Sequence, residues 1–225
     1  MRFSETKKNF ILFWQTIATQ TKLKLALIFI LYVIPIGLFA QLADEVREGE
    51  TLQYDQAILQ FFHLTFASET MNNIVKFMTD LGGPTIVTFM LVVASVYLIF
   101  KKHPRYASFL LTAVGGAVGI NIILKTLFQR TRPELWERIV TEQSYSFPSG
   151  HAMASMALAC AVIFLCWETK YRSLAIVFGV IYISIIAFTR LYLGVHYPTD
   201  ILGGWLMSFG WVLIAYRLIL KKRNT

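Results

Sequence analysis

Two histidines, an aspartate and a group of cations interrupt an otherwise apolar chain at short, widely separated polar breaks. Lys125, Arg130 and Arg132 fall in "KTLFQRTRP", His151 in "PSGH", and Arg190, His196 and Asp200 in "TRLYLGVHYPTD". Arginine offers a planar fork that matches phosphate geometry and lysine a point charge, so Lys125, Arg132 and Arg190 could surround one phosphoryl group. In "PSGH", Ser149 is placed to cap a helix and Gly150 to let the backbone approach a ligand closely. Free amides and the dipole at a helix N-terminus attract anions. Asp200 follows His196 by four residues, so in a helical turn its carboxylate can reach the ring. It would fix the tautomer and leave the other nitrogen free to attack. His151 could then protonate the leaving oxygen. Phosphoryl transfer asks mainly for such positioning and charge stabilisation.

Plainer readings exist for each residue alone. Lysine and arginine at span ends commonly act as snorkelling anchors, and isolated interfacial histidines such as His63 and His103 read as structural. A metal site at His151, His196 and Asp200 is opposed by the three cations around it, and the chain has no HExxH motif or Cys/His cluster. No packing argument calls for three basic residues, two histidines and an aspartate together, so a phosphoryl site is the stronger expectation.

The elements that must position these residues follow from hydropathy. Only 15% of the 225 residues are charged, 56% are hydrophobic, and the mean hydropathy is +0.57. A soluble domain carries roughly a quarter charged residues. Six stretches lack Asp, Glu, Lys and Arg: 25–43, 81–100, 106–124, 151–167, 173–189 and 201–216. A membrane helix needs about 20 mostly apolar residues, and continuous apolar runs exclude the alternation of a barrel. The expected fold is all-α: an integral membrane bundle of six transmembrane helices in one domain, residues 1–225. Because spans three and five end on the face where spans four and six begin, Lys125, Arg132, Ser149, Gly150, His151, Arg190, His196 and Asp200 all share one face of the membrane.

Six spans place both termini together. That side collects 14 of the 21 Lys and Arg but only Glu5 and Glu168 among 13 acids, which makes it cytoplasmic. The net charge of +8 is then topology signal and headgroup attraction, and no basic face of a soluble module suggests nucleic acid. Residues 1–24 form a basic cytoplasmic lead-in, and the N-terminus does not have the pattern of a cleavable signal. Pro35 predicts a kink in span one. Residues 44–80 form an extracytoplasmic segment with one or two short interfacial helices between spans one and two, either a connector or a lid. Ile74, Phe77, Met78 and Leu81 there recur with a helical period. Gly115 and Gly119, four apart in span three, predict close helix packing. Cys160 and Cys166 lie about 9 Å apart along one helix, beyond disulfide reach, and read as small hydrophobes.

Taken together, the motifs resemble the type-2 phosphatidic acid phosphatase superfamily of integral-membrane lipid phosphatases. Its K-x6-R-P motif corresponds to Lys125–Pro133, its P-S-G-H to Pro148–His151, and its S-R-x5-H-x3-D to Thr189–Asp200, with Thr189 where serine is common. The motif region covers 125–200. The resemblance implies that His196 is a nucleophile forming a phosphohistidine, oriented by Asp200. It implies that His151 protonates the leaving alkoxide and later activates water. Lys125, Arg132, Arg190, Ser149 and the Gly150 amide would bind the phosphoryl oxygens, with no metal or other cofactor. The implied substrates are lipid phosphates of the bacterial branch, such as undecaprenyl diphosphate, phosphatidylglycerophosphate or phosphatidic acid. The implied location is the bacterial cytoplasmic membrane, with the site on its outer side and no obligate protein partner. Arg130 and Arg138 are spare cations that could hold a second phosphate. A lipid-diphosphate-dependent phosphotransferase, or a non-enzymatic lipid-phosphate binder or transporter, are the alternative functions of the same scaffold.

Overall fold

The structure, a computed structural model, describes residues 29–137 and 139–221 together with Lys22 and Ala26. The basic lead-in, apart from Lys22, and Arg138 lie outside the described residues. Among the described residues the fold is helical throughout, without strands. Helix α1 runs Phe29–Glu48, α2 Leu52–Phe66, α3 Glu69–Asp80, α4 Pro84–Phe100, α5 Pro104–Phe128, α6 Gly150–Cys166, α7 Arg172–Tyr192 and α8 Pro198–Ile219.

Proline sets several of these boundaries. Pro84, Pro104 and Pro198 each occupy the first turn of their helix, where a missing N–H costs nothing and the fixed φ suits the helix. Pro35 acts differently: the turns before it, Phe29–Val33, are π-helical, so the irregularity expected in span one is a π-bulge rather than a simple bend. The helix also continues past the expected end of the span, through the acidic residues to Glu48.

Large apolar side chains face outward along the bundle, among them Phe89, Ile122, Phe178 and Leu218. This inverts the pattern of a soluble protein and suits a lipid surround. Among the described residues, five helical stretches are long and apolar enough to cross a membrane: Phe29–Glu48, Glu69–Phe100, Pro104–Phe128, Arg172–Tyr192 and Pro198–Ile219. Gly150–Cys166 is apolar but has 17 residues, about 26 Å at 1.5 Å per residue. It is shorter because it starts below the polar segment 129–149, and as the most enclosed helix it need not match the lipid thickness. Helix α2 lies between the first and second of these stretches, and α3 forms the opening part of the second, which α4 completes. On α3 the buried residues are Val75 and Thr79, whereas Phe77 is 70% exposed; its apolar stripe faces away from the bundle, as an interfacial helix requires.

The core gathers around α6, which packs on α5, α7 and α8. Its buried face is rich in alanine, with Ala152, Ala154, Ala157, Ala159 and Ala161 enclosed, and such small side chains let backbones approach. The expected packing role of Gly115 and Gly119 is not what the helices use. A side chain on either would meet nothing within 4 Å; Gly116 instead accommodates the ring of Trp211. Helix contact needs a glycine under a neighbour, and the neighbour of α5 lies one residue round the helix.

At the end of the bundle that carries the polar breaks, α8 comes so close to α6 that a Cβ on Gly204 would stand 3.1 Å from the Ser149 carbonyl oxygen and 3.2 Å from Ala152 Cβ. Gly204→Val is therefore expected to cost about 3 kcal/mol by overpacking, a fall in Tm of roughly 6–12 °C for a domain of this size. Gly119→Val, which meets nothing, should leave Tm unchanged. Thermal unfolding of the two variants in the same detergent checks both expectations.

Candidate active site

Three breaks in the helices converge. Helix α5 ends at Gln129, which takes the left-handed conformation at φ 47°, and the chain then crosses the top of the bundle as an irregular segment. Lys125, in the last turn of α5, donates to Ser144 Oγ at 2.8 Å and to the Tyr145 carbonyl at 2.5 Å. Arg132 returns to the same place, its Nε donating to the Ser144 carbonyl at 2.8 Å and its terminal nitrogen to the Val195 carbonyl at 2.7 Å. The Pro-Ser-Gly-His turn is held from beneath by Asn121, whose amide donates to the Pro148 carbonyl at 2.9 Å. Ser149 N donates to the Asp200 carbonyl at 3.0 Å, and Ser149 Oγ accepts from Ala152 N, capping α6.

The third break turns back sharply. Gly194 has φ +64° with the Trp136 ring packed where a side chain would project, so only glycine suits both the turn and the contact. The reversal buries His196, which is 1% exposed. Asp200 sits in the first turn of α8 and does two jobs. Its Oδ2 accepts from Tyr197 N at 2.8 Å, closing the helix start, and lies 3.3 Å from His196 Nδ1. A carboxylate at this contact accepts only, so Nδ1 carries the proton and Nε2 keeps its lone pair. Nε2 is 3.1 Å from an Arg132 nitrogen. Burial, followed by the charges of Arg132 and Arg190, pushes the imidazole well below its ordinary pKa, so the ring is neutral at physiological pH. In the unfolded chain the ring takes up a proton below about 6.5; the buried ring resists it, so this residue contributes a loss of stability as pH falls through that value.

Arg190 is 1% exposed. It donates to Thr79 Oγ1 of α3 at 3.0 Å and pairs with Glu142, while its Nε has no hydrogen-bond partner. Burial would raise the Glu142 carboxyl, but Arg190 and Arg132 hold it at about 2. Glu142 thus stands as an anion between two arginines, also 3.8 Å from Arg132.

A cavity of about 400 Å³ opens among these groups. Its polar end is bordered by Lys125, Arg132, Glu142, Gly150, His151 and His196, and its other end by apolar residues of α4 and α5, including Val87, Leu91, Val114 and Val118. The sequence-expected residues divide accordingly. Lys125, Arg132, Gly150, His151 and His196 border this cavity. Arg190 borders an adjoining hollow with Thr79, Glu142 and His151. Asp200 stands behind His196, and the buried Ser149 hydroxyl is occupied by its helix cap. Thr189 spends its hydroxyl within its own helix, on the Ile186 carbonyl at 2.7 Å. His63 stacks on Trp136 with ring centres 4.2 Å apart, and His103 stacks on Tyr106. Arg130, expected to be a spare cation, is instead committed to two carboxylates, Asp55 and Asp200.

Several residues here had no motif to mark them. Asn121 had one signal, an amide in an apolar run exactly one turn before Lys125. Ser144, Ser146 and Glu142 lie in a segment whose path is set only by its tertiary partners. Asp55 lies 75 residues from its partner Arg130 and carries no local signature.

Two cations, a neutral histidine with an oriented lone pair and a second histidine, at the mouth of an apolar groove between helices, define a helical membrane enzyme that handles phosphorylated lipid-like molecules. The chain belongs to the PAP2 superfamily, which it matches over residues 106–224. It is 26% identical to phosphatidylglycerophosphatase B of Bacillus subtilis over 76% of this chain and 87% of that one. It is 26% identical to an undecaprenyl-diphosphatase of Sulfolobus acidocaldarius over 84% and 85% of the two chains. The fold is that of the transmembrane PAP2-type phosphatidylglycerolphosphate phosphatase from Bacillus subtilis, with a TM-score of 0.77 and 24% identity over 85% of this chain and 97% of that one. Its relatives are thus membrane lipid phosphatases.

Proposed function

We propose that this membrane protein hydrolyses a lipid phosphate through a phosphohistidine at His196. The observation that carries the reading is the His196–Asp200 pair at 3.3 Å, which leaves Nε2 unprotonated in a ring bordering a cavity that is cationic at one end and apolar at the other. The phosphate anion offsets the cations beside His151, which takes up a proton as substrate binds. In the first step Nε2 attacks phosphorus, the bond from phosphorus to the lipid oxygen breaks, and the protonated His151 gives that proton to the oxygen. In the second, water attacks the phosphohistidine, His151 takes a proton from it, and the P–N bond breaks to return neutral His196. Lys125, Arg132 and Arg190 neutralise the phosphoryl oxygens, with the Gly150 amide at the start of α6; Arg190, with its unpaired Nε, exchanges Glu142 for the substrate. The α4–α5 side of the cavity receives the lipid chain.

The substrates that suit this site are lipid mono- and diphosphates: phosphatidylglycerophosphate, undecaprenyl diphosphate and phosphatidic acid. The whole chain acts as one six-span domain, α6 serving as the fourth span in chain order, in a bacterial cytoplasmic membrane. The excess of Lys and Arg on the side of the termini supports cytoplasmic termini and an outward-facing site.

Purified protein in detergent with EDTA is expected to release inorganic phosphate from at least one of these three lipids, because cationic side chains supply the charge stabilisation. No release from any of them by folded protein, with or without an acceptor lipid, would sink the proposal. Donor loss only when an acceptor lipid is present would assign a phosphotransferase instead.

A further inference from the structure

Helix α2 reaches the site through a charge chain that begins outside the motifs, at Asp55. Asp55 of α2 is 1% exposed, and its Oδ2 is 2.7 Å from one Arg130 terminal nitrogen. The other terminal nitrogen of Arg130 is 2.6 Å from Asp200 Oδ1. Thr199 ties the pair together: its hydroxyl accepts from Arg130 at 2.8 Å and donates to Asp55 at 2.6 Å, and its amide donates to Asp55 at 3.1 Å. Thr51 adds a further donor to Asp55 at 3.2 Å. The guanidinium also lies over the Tyr197 ring, 4.2 Å from its centre. Asp200 therefore divides its oxygens. Oδ1 faces Arg130, while Oδ2 accepts from Ser146 Oγ at 2.5 Å and Tyr197 N at 2.8 Å, and faces His196.

We propose that Asp55 and Arg130 are positioning residues: a buried carboxylate–guanidinium–carboxylate relay that fixes Asp200 and sets how much negative charge it presents to His196. This rests on the reading of His196 as nucleophile. The arrangement does more than brace the fold, because Arg130 opposes Asp200 electrostatically and Asp55 offsets Arg130. Removing either end moves the nucleophile in a different direction. Asp55→Asn leaves Arg130 undivided on Asp200, so Asp200 supports the imidazole less and Nε2 becomes a weaker base. Arg130→Gln removes the opposing cation, so Nε2 becomes a stronger base. The other groups facing His196 and Asp200 stay in place: Lys125 from α5, Arg132 from the irregular segment, His151 from α6, Arg190 from α7 and Tyr197 at the start of α8.

The test uses the full chain in detergent with phosphatidic acid as probe, measuring phosphohistidine formation in single turnovers from pH 4 to 9. Both variants are expected to lose about 10–100-fold in kcat, the scale of a second-layer or sub-ångström positioning defect. KM should stay within about twofold, since the phosphate-binding cations are untouched. The acid limb of the rate should move to lower pH in Asp55→Asn and to higher pH in Arg130→Gln. Wild-type kcat and pH profile in both, or a loss without opposed shifts, would overturn the relay. Should a single variant fail to fold because a buried charge is left alone, the double variant Asp55→Asn/Arg130→Gln removes the charge of Asp55 as well and leaves only Asp200, which keeps Ser146 Oγ, Tyr197 N and His196 as partners; folded and fully active, it too would overturn the proposal. His196→Ala in parallel separates the two readings. If it still turns over, the nucleophile assignment falls and the relay with it; if it is dead while the relay variants are normal, only the relay falls.

Discussion

His196→Ala is expected to lower turnover by at least about four orders of magnitude, the scale seen when a covalent nucleophile is removed from a preorganised site. The ring is enclosed, its Nδ1 is turned to Asp200 and its Nε2 is next to Arg132, so its removal takes away the oriented lone pair. Binding should survive, because Lys125, Arg132 and Arg190 do not depend on the ring for their charge. The measurement is a rapid quench with ³²P-labelled phosphatidic acid. Wild type should carry an acid-labile, alkali-stable label on the chain, and the variant should bind lipid without becoming labelled. Labelling of His196→Ala at the wild-type level would place the nucleophile elsewhere and remove the central element of the mechanism.

The second large effect concerns His151. A general acid contributes typically 10²–10⁴-fold, and His151→Asn is expected to reduce kcat on a lipid phosphate by that amount. The diagnostic is the leaving group. A lipid alkoxide needs a proton as it departs; p-nitrophenolate does not. With p-nitrophenyl phosphate the first step should be nearly spared in the variant, while the second still lacks its base. The expected result is a burst of p-nitrophenol of about one per enzyme, followed by a slow steady rate, with phosphohistidine accumulating. An equal loss on both substrates without a burst would show that His151 acts in binding or structure. Its ring borders both the main cavity and the hollow beside Arg190, which is where a group serving leaving oxygen and incoming water must stand.

These two effects are legible in the sequence because their chemistry is local. Asp200 follows His196 by four residues, and in the structure its carboxylate reaches the ring from the first turn of α8, with His196 in the bend just before that helix. The "PSGH" turn caps α6 through Ser149, as its residue types require. Hydropathy alone specified a helical membrane bundle, and parity alone put the polar breaks on one face, since both depend only on run length and the cost of charge in lipid.

Other properties depend on residues far apart in the chain, and only the tertiary structure decided them. Arg130 sits two residues from Arg132 and has the same chemistry, yet one borders the cavity and the other turns to Asp55, because an irregular segment has no period to fix which way successive side chains point. Glu142 has no motif; it matters because the segment carrying it folds between Arg190 and Arg132. Gly115, Gly116 and Gly119 are alike as letters, and the position of Trp211 on α8 selects Gly116. The sequence by itself determined the class of fold, the membrane setting and the residues able to carry phosphoryl chemistry, through periodicity, spacing and charge. The partnering of buried charges, and with it the tie between α2 and Asp200, was decided by packing, because a buried charge must find its counter-charge wherever the folded chain brings one.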